Sequence, residues 1–71
     1  MARNTFAVTS LEPGARFEKV GHYRSVWVVK RLVSLPAQPM HVAIELERDR
    51  HERRTLAVAG LNDRARFRQV Q

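Results

Sequence analysis

Cysteine is absent from this chain, which excludes both a disulfide staple and a thiolate metal site, the usual supplements to a small core. Glycine occurs only at Gly14, Gly21 and Gly60, too far apart to form a phosphate-cradling loop, so each is read as a turn residue. Three scattered histidines, His22, His41 and His51, show no ligand spacing. No metal or cofactor is therefore expected. No Ser-His-Asp constellation can be assembled either, and the chain is read as a non-enzyme unless an oligomer shares a pocket. No apolar run approaches the roughly 20 residues that cross a bilayer, and none follows Met1-Ala2-Arg3-Asn4. A cytoplasmic protein without membrane partners is the expectation. Acidic residues are scarce too: 7 Asp and Glu stand against 13 Lys and Arg, a net charge of +6 on 71 residues.

A chain this short buries only about 60% of the surface it exposes when unfolded, so its core is one thin layer. The clearest pattern lies between His41 and Gly60. Val42, Ile44 and Leu46 occupy alternate positions, a charged run from Glu47 to Arg54 intervenes, and Leu56 and Val58 resume the alternation. Side chains on a strand alternate between faces, so this is the signature of a β-hairpin with one buried face. Within the charged tip, Glu47, Asp49 and Glu52 offset all but one of the positive charges, and the tip is read as a solvated end.

Pro13-Gly14 forms a turn ahead of a first strand, Arg16 to Val20, with Phe17 inward. Gly21 to Ser25 breaks that strand, and Val26 to Leu35, rich in β-branched residues, forms the longest one. Lys30 and Arg31 sit side by side in its middle, so one face must reach solvent or the strand must bend there. Pro36 and Pro39 end it. The hairpin strands are placed at Val42 to Glu47 and Thr55 to Ala59, and a fifth at Arg66 to Val70 with Phe67 inward. A helix capped by Asn62 competes with this last strand, but Leu61, Ala65 and Phe67 make no apolar stripe for it. Residues 1–12 are assigned to an N-terminal arm or short extra strand around Thr5 to Thr9, and 13–71 to the folded domain.

Pro13-Gly14, Trp27-Val28-Val29 and Ala57-Val58-Ala59-Gly60-Leu61, set among five short strands, resemble the small SH3-like barrels, including the KOW and Tudor-like groups. That resemblance implies an all-β, strongly bent antiparallel five-stranded barrel, with a short 3-10 turn before the last strand. The run Ala57 to Leu61 is also similar to the plasmid-borne type II dihydrofolate reductases, which are tetrameric SH3-like barrels. That family places Gln-Ile-Tyr just ahead of this element to line its pore. Here Arg54-Thr55-Leu56 stands instead, and the catalytic match fails.

Two groups of residues are candidates for binding. In an SH3-like barrel the first and last strands pair, which brings Arg16 towards Arg66 and Arg68, with Arg64 at the nearby turn. Arginine forks suit phosphate or carboxylate, although Glu18 in the same outward row can pair with Arg66 or Arg68 and neutralise the patch. Arg24, Lys30 and Arg31 are outlying contributors. Tyr23, with His22 and Arg24 in the loop that borders the ligand groove of SH3-like modules, and Trp27 are the candidate groove aromatics, able to stack a base or hold a peptide, although the core also claims Trp27. The partner expected from these charges is nucleic acid or a ribonucleoprotein. The alternative is a protein-interaction module or small subunit of a larger complex, in which a strand edge or the face bearing Trp27 is covered by a protein partner or a second copy of the chain.

Overall fold

The computed structural model describes residues 11–22 and 25–70. Five antiparallel strands form one sheet: β1 (Arg16–Lys19), β2 (Val26–Val33), β3 (His41–Leu46), β4 (Asp49–Ala57) and β5 (Phe67–Val70), in the order β4-β3-β2-β1-β5. One helical turn, α1 (Val58–Leu61), separates β4 from β5. The all-β class and the antiparallel pairing of the first and last strands follow the sequence expectation. Barrel closure does not. β4 and β5 lie at opposite edges of the sheet, with no ladder joining them. The anticipated 3-10 turn before β5 is instead the α-helical turn Val58–Leu61. The expected arm over residues 1–12 falls mainly outside the described residues.

The alternation of side chains sorts the sheet into two faces. Phe17 opposes Trp27, Val29 opposes Ile44, and Val42 opposes Leu56. Phe17, Trp27, Val29, Val42 and Ile44, all buried on this inner face, join Phe67 of β5 and Leu61 of α1 in one hydrophobic cluster. Removing such apolar surface from water contributes about 25 cal/mol per Å² and is the main stabilising term. Leu61 lies in a turn-like Gly-Leu-Asn-Asp run, yet α1 drops it into the core at 1% exposure.

Two irregularities place charge. The register of β2 against β3 shifts between Val29 and Arg31, so Lys30 is an extra, bulged residue. A bulge bends its strand and re-aims side chains, and both Lys30 and Arg31 are exposed. The two adjacent cations thus reach solvent at an irregularity of the strand, in keeping with the expectation of a solvent-facing or bent segment. At the hairpin, β4 begins at Asp49, not Thr55 as expected. The turn is confined to Glu47-Arg48, and the charged run continues into the ladder after a second shift between Glu45 and Leu46.

Candidate functional site

A cleft of about 730 Å³ opens where the end of β1 and its following turn meet α1 and β5. Its walls come from Glu18, Lys19 and His22 on one side, and from Asn62, Arg64 and Arg68 on the other. Leu61 and Phe67 close it from the core side, and Val20, 49% exposed, stands at its rim.

Local chemistry builds both walls. After β1 the chain turns through Gly21 at φ +85°, a conformation that glycine adopts without a Cβ penalty. The His22 amide donates to the Lys19 carbonyl, and the Val20 amide reaches across to the Arg66 carbonyl at 2.8 Å. On the opposite wall the Asp63 carboxylate accepts the Ala65 amide at 3.0 Å, while its backbone carbonyl accepts the amides of Arg66 and Phe67. Such an Asx turn fixes the backbone without helix. It leaves the Arg64 side chain exposed at the cleft.

The ionic contacts divide the basic residues. Arg68 of β5 opposes Glu18 of β1 and pairs with it. Arg16, diagonal to Arg68 on the same outer face, grips both carboxylate oxygens of Glu47, at 2.7 and 3.0 Å. This fork raises the Arg16 pKa above its ordinary value, chiefly through the hydrogen bond, and lowers that of Glu47 for the same reason. Lys30 and Arg53 flank Glu45 at 3.7 and 3.2 Å. Six described cations, Lys19, Arg31, Arg48, Arg50, Arg64 and Arg66, form no ion pair with any described residue, and of these Lys19 and Arg64 line the cleft.

The sequence-predicted residues are therefore brought together only in part. Arg64 and Arg68 both line the cleft. Arg16 is turned to Glu47, and the guanidinium of Arg66 packs by Gly60, where a Cβ would stand 3.5 Å from its Nη1. Lys30 and Arg31 share a smaller depression, of about 320 Å³, with Arg53 and Glu45. Trp27 is 3% exposed, its indole N–H donates to the Ser25 hydroxyl at 3.1 Å, and Arg54 covers its ring, so it serves the core and not a groove. Tyr23 and Arg24 lie outside the described residues.

Lys19 and Asn62 were missed as site residues, whereas His22 stands beside Tyr23 in the loop expected to border a groove. Nothing in the local sequence of Lys19 and Asn62 marks them, because they meet only through the β1–β5 pairing and the placement of α1. Among the described residues no cluster of three His, Asp or Glu side chains is arranged to hold a metal ion. No helix among them is long and apolar enough to cross a membrane. The chain matches no protein-family model, no curated protein and no solved structure.

Proposed function

We propose that this protein is a small basic binding module, SH3-like in its strand arrangement, that takes nucleic acid through phosphate contacts at the cleft between β1 and β5. The SH3-like part of the reading is supported by the strand order and by the helical turn before the last strand. The functional part rests on one observation: Lys19 and Arg64 flank a concave, partly apolar cleft, and neither has a carboxylate partner among the described residues. Cations already matched to carboxylates gain less from a phosphate. Unmatched ones are free to exchange counterions for it, which is the main source of affinity for a polyanion. Arg68 adds its positive fork at the rim, with its charge shared by Glu18. Arg31 contributes at a distance, whereas Arg16 and Lys30 are largely spent on Glu47 and Glu45.

Fluorescence anisotropy with labelled RNA and DNA oligomers tests this. Binding is expected at low salt, with affinity falling steeply as salt rises. Absence of binding to every oligomer at low salt would overturn the reading.

A further inference from the structure

From the shape and lining of the cleft we infer that it takes one unpaired nucleotide, so that the protein prefers single-stranded nucleic acid to duplex. The inference rests on the functional reading above and narrows it. A duplex offers a phosphate surface with its bases stacked inside. A protein that reads such a surface through phosphates alone needs only a basic face or a protruding element. Here two unmatched cations, Lys19 and Arg64, are set together at a concavity of about 730 Å³. Val20, 49% exposed, gives it an accessible apolar surface, and Leu61 and Phe67, at 1% and 6%, close it from the core side. A phosphate alone has no use for such a surface.

A nucleotide carries the complementary set: an anion joined to a flat, largely apolar ring with polar edges. Its phosphate meets Lys19 and Arg64, and its base lies against Val20. Asn62, exposed in the same lining, supplies both an amide donor and a carbonyl acceptor for the base edge. Unpaired bases are the form in which nucleic acid presents such edges to a pocket. The one carboxylate in the cleft, Glu18, is held by Arg68 and so repels the incoming phosphate less. The smaller depression around Lys30, Arg31 and Arg53 centres instead on Glu45, a less favourable seat for an anion.

The test is anisotropy with a labelled single strand of roughly ten nucleotides, a length within the site sizes of OB-fold single-strand binders, and with the duplex formed from it. Measurements use the intact chain, the variants Lys19→Gln and Arg64→Gln, and Arg48→Gln, which removes the same charge at the hairpin tip. The single strand is expected to bind about tenfold or more tightly than the duplex. Each cleft variant should lower the slope of log affinity against log salt by about 0.7 on the single strand, and the tip variant by clearly less. Circular dichroism confirms that each variant is folded. Failure of both nucleic acids to bind would overturn the functional reading itself. Equal or tighter duplex binding would leave that reading standing and overturn this inference, as would an equal effect of Arg48→Gln.

Discussion

The guanidinium of Arg54 lies 5.0 Å from the centroid of the Trp27 ring. Arg54 belongs to β4 and opposes Ile44, so its position in the ladder faces the core, and the planar cation roofs an otherwise apolar cluster. A cation over an indole face contributes about 0.5 to 1 kcal/mol at an exposed site, and more where water is excluded. Arg54→Ala is therefore expected to cost about 1 kcal/mol in urea unfolding. It should also red-shift the emission of Trp27, the sole tryptophan. Arg54→Lys should keep part of the stability. If Arg54→Ala leaves both stability and emission unchanged, the cation does not cover the ring in solution.

This contact shows where sequence reading reached its limit. The alternation of Val42 and Ile44, and the inward placing of Phe17 and Phe67, were legible because period-two patterning is local, and all four are buried. Arg54 was not, because an arginine among seven charged or polar neighbours has the appearance of a solvated tip. Only the ladder register reveals that it faces inward. Leu61 was hidden among turn residues for a similar reason. Of the site, Arg64 and Arg68 were accessible through the expected pairing of first and last strands and His22 through its loop, while Lys19 and Asn62 depend on how α1 meets the β1–β5 pair.

Glu45 gives a prediction of unusual asymmetry. It is 9% exposed on the outer face, between Lys30 and Arg53, both of which are well exposed. Removing the carboxylate leaves two cations in water, whereas removing both cations leaves a buried carboxylate alone. Removing one member of an ion pair is costly when the charge left behind is buried, and far less so when that charge stands in water. Glu45→Met is thus expected to change stability by less than about 1 kcal/mol, and the double variant Lys30→Met with Arg53→Met to lose about 2 kcal/mol. Denaturant titration of the two proteins settles the order, and a larger loss from Glu45→Met would contradict the argument.

The Arg16–Glu47 fork predicts a pH dependence. Its hydrogen bond lowers the Glu47 pKa below the ordinary 4.5. Only the folded state makes this bond, so its stabilisation is complete above the ordinary value and is lost as pH falls through the lowered folded value. Thermal midpoints of the natural chain and Glu47→Gln should accordingly differ near neutral pH and converge in acid. Both partners are substantially solvent-exposed, so the difference should be small and shrink further in high salt. A gap that persists unchanged at the acid end would mean that Glu47 acts through something other than its charge.

Two turns with the same outline make opposite predictions. In the first, the Ala15 amide donates to the Glu12 carbonyl across Pro13-Gly14, with Gly14 at φ +95°; in the second, the Gln38 amide donates to the Leu35 carbonyl across Pro36-Ala37, with Ala37 at φ +56°. Proline followed by positive φ is the pattern of a type II turn, whose third position favours glycine. The first turn has it and the second has alanine. A left-handed alanine costs roughly 1 to 2 kcal/mol, while glycine in its place loses about 0.5 to 1 kcal/mol of chain entropy on folding. Ala37→Gly should therefore stabilise by about 0.5 kcal/mol. Gly14→Ala meets no atom within 4 Å of the added Cβ, so its penalty comes from the backbone alone and should be about 1 kcal/mol. Neither residue lines the cleft, so nucleic-acid affinity should stay constant in both variants while the unfolding midpoints move in opposite directions. Midpoints that move the same way would mean that the two turns do not share this backbone geometry.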